Sequence, residues 1–230
     1  MTDLRDRRRR QTEQAIVAAA TELFLRDGYA RTTLAAVAER AGVAARTVYV
    51  RFDRKATLFQ RVIEAATVGD IDATPLPDRE WARRAMSAPT LADRIAAYAD
   101  GVSDMHERLG PLMAVNGEVE ASEPAVQESA AAARRATVAF LRAFWERAEQ
   151  DGLLPPDVDL EWLIDTSVIV SAAETRLVIS RHLGWRRQEF HDWIAMTWWR
   201  IIGAATVTGS PATGAAPRSA GLRTGRRAGS

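Results

Sequence analysis

Between Thr33 and Lys55 the chain sets out a series of donors suited to an anion: hydroxyls at Thr33, Thr47 and Tyr49, guanidinium groups at Arg46 and Arg51, and the ammonium of Lys55. Phosphate oxygens accept from all of these, whereas bases are told apart only at their groove edges. No Asn or Gln lies between residues 33 and 59, so the bidentate reading of adenine cannot be made there. Arg46 is therefore the candidate for direct readout, with guanine O6 and N7 as its acceptors, and Ala45 and Val50 can meet thymine methyls. Thr47 suits either a base or a phosphate. Lys55 is conspicuous as the single Lys beside 30 Arg.

The elements that carry these residues are helices. Ile16, Ala19, Ala20, Leu23 and Phe24 fall on one apolar face, and Gly28 stands where a helix C-cap is expected. Thr32 or Thr33 offers an N-cap oxygen for a short helix, "LAAVAERA", which Gly42 stops. A second short helix follows, "AARTVYVRF", and Asp53 can cap a longer one that begins at Arg54-Lys55. Two helices too short to persist alone, joined by a Gly-containing turn, form the helix-turn-helix pattern. In the second, Val48 and Phe52 face inward, while Ala45, Arg46, Tyr49 and Val50 face outward. Ala44 and Ala45 leave that helix without a side-chain cap, so its first N–H groups are open to a phosphate.

Charge agrees with this reading. Residues 1–60 carry a net +5, residues 61–208 a net −8, and residues 209–230 a net +4. A basic N-terminal segment on an acidic body calls for an anionic partner met by one end. The run Arg7–Arg10 precedes the first helix either as an arm that reaches DNA or as a solvated stretch. The absence of Cys rules out disulfides, thiolate nucleophiles and thiolate metal sites. The three His are too scattered for a metal site, and no cofactor is expected. No phosphate-cradling glycine loop, HExxH or nucleophile elbow is present, so an enzyme is disfavoured. Apolar stretches are interrupted by charges well short of a membrane span, and the expected setting is soluble and cytoplasmic.

Beyond residue 61 the pattern remains helical. Residues 70–90 read as a connection with a short helix around Trp81. A helix then runs to a break at Gly110-Pro111, and a long one spans roughly 124–150. Two final long helices, roughly 159–183 and 186–206, are apolar beyond the needs of one face. Burial in the domain core is one reading of that excess, and a homodimer interface is the sharper one, with Leu177, Trp193, Trp198 and Ile202 as candidates. The tail 209–230 is too poor in large apolar residues to fold and is expected to be disordered.

Residues 32–62 resemble the DNA-binding signature of the tetracycline-repressor (TetR) family. The match lies at Thr33, Val37, Ala38, Ala41, Gly42, Val43, Thr47, Val48, Tyr49, Phe52, Lys55 and Leu58, and Phe24, Gly28 and Tyr29 extend it. The resemblance implies an all-α regulator with a helix-turn-helix domain at 1–60, joined through the fourth helix to an effector-binding and dimerisation domain at 61–208. It implies a dimer on an inverted-repeat operator of double-stranded DNA, released by a small hydrophobic effector. It assigns Thr33, Tyr49, Arg51 and Lys55 to phosphates, with Ala44, Ala45, Arg46, Thr47 and Val50 on the reading surface. Met105, His106, Met113, Trp145 and Trp162 lie on the helices that line the pocket in such proteins, as core residues first and as ligand contacts second. A regulator without an effector, or one that activates, remains the alternative.

Overall fold

A computed structural model describes residues 2–72 and 74–207. The expected tail at 209–230 lies outside these residues. Among the described residues the chain forms ten α-helices and no strand. They are α1 (Thr2–Arg31), α2 (Leu34–Ala41), α3 (Ala45–Arg51), α4 (Lys55–Val68), α5 (Glu80–Ser87), α6 (Leu91–Ser122), α7 (Pro124–Gln150), α8 (Leu160–Ser171), α9 (Ala173–Leu183) and α10 (Arg187–Val207), with a short 3-10 turn at Leu76–Asp78 before α5. No helix among them is long and apolar enough to cross a membrane.

Local chemistry sets the boundaries of the first four helices. Gly28 takes φ 80° and ψ 166°, interrupting α1 one turn before its end. The Thr33 hydroxyl accepts from the Ala36 N–H at 3.1 Å and caps α2, and Gly42, left-handed at φ 66°, ends it. Ala44 caps α3 with no side-chain bond, as its methyl group dictates. Asp53 does not cap α4: Arg54 holds that position, and the Asp53 carboxylate accepts instead from the Thr57 hydroxyl at 3.0 Å.

Two apolar cores result. The head core gathers Ile16, Leu23, Phe24, Leu34, Val37, Val48, Phe52, Leu58 and Phe59 from α1–α4, and takes in Leu112, Val119 and Val126 from α6 and α7. The boundary drawn at residue 60 therefore does not separate the cores. The body core is aromatic, with Tyr98 stacked on Trp198 at 4.3 Å and Trp145 at 4.9 Å from the same ring.

Two helix boundaries differ from the sequence reading. The expected break at Gly110-Pro111 is absent, and α6 runs through Pro111. Leu109 and Leu112, buried on either side of it, hold the helix together across the missing N–H. Conversely, the expected helix over 159–183 is two, divided at Ala172 (φ −65°, ψ 145°). The Thr175 hydroxyl donates to the Ile169 carbonyl at 2.6 Å across this break, meeting one acceptor that the break releases.

Candidate nucleic-acid interface

Two residues seat α3, and four others stand exposed on it. Val48 is fully buried and Phe52 nearly so, one helical turn apart, and together they fix α3 onto α1 and α2. On its outer side Val50 is 77% exposed and Tyr49 51%, with Ala45 and Arg46 also exposed. Thr47 is half-buried between the two sides. Ala44, Arg46, Thr47, Val50 and Arg51 line a groove of about 540 Å³, completed by Arg9 of α1.

A second groove, about 400 Å³, lies on the other side of Tyr49, between α2 and the start of α4. Thr33, Tyr49, Arg54 and Lys55 contribute donors to it, and Glu123 of the α6–α7 corner closes one wall. The Thr33 oxygen accepts its capping bond, which leaves the hydroxyl hydrogen to donate outward.

Two expected phosphate donors are engaged within the protein. Both Nε and Nη2 of Arg51 donate to Glu13 Oε2, at 3.0 and 2.6 Å, while Arg61 Nε donates to Oε1 of the same carboxylate at 2.8 Å. These side chains are 17–19% exposed. Burial raises the Glu13 pKa, but the hydrogen bonds from Arg61 and Arg51 outweigh it and hold the carboxyl below its usual range. Lys55 Nζ donates to the Tyr29 carbonyl at 2.7 Å and to that of Ala30 at 3.2 Å. It also sits 4.2 Å from the centre of the Tyr29 ring. Carbonyls at the end of α1 lack helical partners, and a cation there supplies them. Burial pushes the Lys55 pKa down, and Glu123 partly restores it.

Arg51 and Lys55 thus do not stand free for a phosphate as the sequence reading had them. Each retains N–H groups beyond the bonds named, but its primary contacts are structural. Two other cations are better exposed. Arg54, with its side chain 79% exposed and a 3.3 Å contact to Asp53, lies at the N-terminus of α4. Arg9 reaches the groove beside Arg46. The sequence signal for Arg54 was its place at the helix start; for Arg9 it was the basic run.

The body residues separate further. His106 is buried against Phe190, at 5.5 Å between ring centres, and its Nδ1 has no partner among the described residues. Its pKa is pushed down to about 3, by burial first and then by the nearby Arg176 cation. Trp145 is fully buried and donates to the Ser167 hydroxyl at 2.9 Å. Met105 and Met113 are half-buried on α6. Trp162 does not line the interior: it is 40% exposed on the first turn of α8. Trp198 and Ile202, expected on a partner surface, are buried in the chain's own core because α10 presents that side to α6 and α8. Leu177 and Trp193 are half-buried.

Residues 16–62 match the family model described as bacterial regulatory proteins, tetR family. The curated HTH-type transcriptional regulator TtgR of Pseudomonas putida is 42% identical over 55 residues, or 24% of this chain. That match spans 26% of the relative's own length. Among solved structures, a Mesorhizobium loti MAFF303099 protein assigned to the TetR-family transcriptional regulators is 18% identical with a TM-score of 0.64, covering 84% of this chain and 96% of that one. NalD of Pseudomonas aeruginosa, the secondary repressor of the MexAB-OprM multidrug efflux pump, is 19% identical with a TM-score of 0.59, covering 83% and 95%.

Proposed function

From a chain that belongs, by its residues 16–62, to the TetR family of bacterial regulatory proteins, we propose a DNA-binding transcriptional repressor that binds an inverted-repeat operator as a homodimer and releases it on taking up a small apolar effector. The observation that carries the reading is the outer face of α3, where Ala45, Arg46, Tyr49 and Val50 stand exposed on a helix anchored by Val48 and Phe52. A rigid helix with one guanidinium and two methyl-bearing side chains on its free side fits a major groove with a guanine under Arg46.

Dimerisation is supported by apolar residues exposed on the last three helices, among them Ile169 (67%), Val178 (56%) and Trp199. An effector is supported by polar atoms of the body that are buried without partners among the described residues. They include Ser103 Oγ and His106 Nδ1 on α6 and Trp198 Nε1 on α10. Such atoms are costly unless a ligand or water supplies the missing bond. The link to the head runs through α4 and also through the α6–α7 corner. There Tyr29 Oη donates to Glu123 Oε1 at 2.9 Å and Gln60 Nε2 to the Ala125 carbonyl at 2.8 Å. Ligand-induced movement of α6 would reach the reading heads by this contact.

Selection from a randomised duplex pool by the full chain tests the reading. The expected product is an inverted repeat with one preferred G·C pair per half-site. Arg46→Ala should then lose that preference and about 1–3 kcal/mol of binding. Failure to enrich any shared sequence would overturn the reading. A variant weakened equally on all sequences would move Arg46 to the phosphate backbone.

A further inference from the structure

The start of α1 has no role in the fold described so far. Residues 4–10, "LRDRRRR", are helical and exposed and carry five Arg against one Asp. They precede the matched residues 16–62, and α1 continues unbroken from them into the head core. The first turn of a helix disfavours cations, and like charges four apart, as at Arg5 and Arg9, repel each other. At Arg5, Arg8 and Arg9 the free protein therefore gains no ion pair from this arrangement, and an external polyanion would reverse its sign.

Placement on the helix sorts these charges. At 100° per residue, Arg5 and Arg9 share the face that continues into Ile16 of the head core, and Arg8 lies about 80° round the helix from it. That is the α3 side: Arg9 lines the groove with Ala44, Arg46, Thr47 and Val50, and Glu13, one turn further on, holds Arg51. Arg10 lies on another flank and pairs with Asp72 at 2.7 Å. No hydrogen bond or ion pair engages the guanidinium groups of Arg5, Arg8 and Arg9 among the described residues. From Glu13 to Arg5 the helix rises about 12 Å, the axial length of roughly three to four phosphates on one strand of B-DNA.

We propose that the N-terminal turns of α1 are a second DNA-contacting element, in which Arg5, Arg8 and Arg9 bind the phosphate backbone beside the base pairs read by α3. This rests on the DNA-binding reading above and extends it. The element is a rigid continuation of the head, so its register against α3 is set by the helix. It adds affinity without sequence preference and lengthens the footprint on the outer flank of each half-site.

The test uses the full chain and the duplex enriched from the randomised pool, with a second duplex trimmed of its flanks. Replacing all three arginines by alanine should flatten the slope of log Kobs against log salt by about 2.7 per subunit, at about 0.9 per phosphate. The ratio of affinities for enriched and scrambled sequence should stay unchanged, and trimming the flanks should weaken wild type more than the variant. The three positions are exposed, so the thermal midpoint should hold and exclude misfolding. An unchanged salt slope, or equal sensitivity to trimming, would overturn the proposal while leaving the operator reading intact. Loss of binding to vesicles with one-quarter anionic lipid, without a change in the DNA slope, would reassign the patch to membranes. Wild type that enriches no sequence would sink both readings, whereas Arg46→Ala separates them by losing preference and keeping most of the slope.

Discussion

The ammonium of Lys55 donates to the main-chain carbonyl of Tyr29 at 2.7 Å while lying 4.2 Å from the centre of that residue's ring. The one lysine of the chain thus joins the end of α1 to the start of α4. Lys55→Met keeps the stem and removes the charge, and should cost about 1–3 kcal/mol in the absence of DNA. Urea unfolding would show this as a lower midpoint at constant m. An unchanged midpoint would return Lys55 to a purely DNA-facing role.

Glu13 holds both Arg51 and Arg61, so Glu13→Gln should destabilise by about 1–3 kcal/mol at neutral pH. The folded pKa lies below the ordinary 4.5. The stability it contributes is therefore complete above that value and lost as pH falls through the folded pKa. Stability curves of wild type and variant should converge below pH 4.5. A constant offset across that range would refute the assignment.

His106 is shifted in the same direction, but because burial favours its neutral form rather than its charged one. Its folded pKa of about 3 lies under the ordinary 6.5, so the unfolded chain takes up the proton first. Stability should be full above 6.5 and fall as pH drops from 6.5 toward 3, by at most about 1.4 kcal/mol per pH unit. His106→Phe should remove that slope in a difference curve against wild type. An identical slope in the variant would show that other groups titrate.

Gly101 lies flush against Trp81: an added Cβ would come within 2.1 Å of the indole ring. Gly101→Ala should cost about 1–3 kcal/mol by overpacking. Trp81→Leu in the same chain should recover part of this loss, giving a coupling that thermal unfolding can measure. Strict additivity of the two changes would contradict the contact.

Val178 and Met196 are exposed on α9 and α10, whereas Trp198 is fully buried. Glu at both exposed positions should yield a folded monomer by sedimentation, with weakened operator binding. Trp198→Glu should unfold the body instead. A double variant that remains dimeric would exclude these faces from the interface.

The third helix was legible because its information is local. Val48 and Phe52 are four apart, and the four side chains that this spacing turns outward, Ala45, Arg46, Tyr49 and Val50, are the exposed ones of the helix. The partners of Arg51 and Lys55 were not, because they lie 38 and 26 residues away. A main-chain carbonyl, moreover, has no identity in the sequence. Trp198 and Trp199 show a second limit. They are neighbours of one type on a helix apolar on most sides, and only the packing of α10 buries the first and leaves the second 46% exposed. The division at Ala172 has neither Gly nor Pro to announce it.

Leu112, Val119 and Val126 sit inside the head core although they lie 50 or more residues beyond Val62 in the chain. Residues 16–62 cut out on their own would show water the apolar surface that these three side chains cover. The helix-turn-helix segment is therefore not a cassette: grafting it onto another regulator requires transplanting the 112–126 corner with it, or redesigning the recipient's corner to fit.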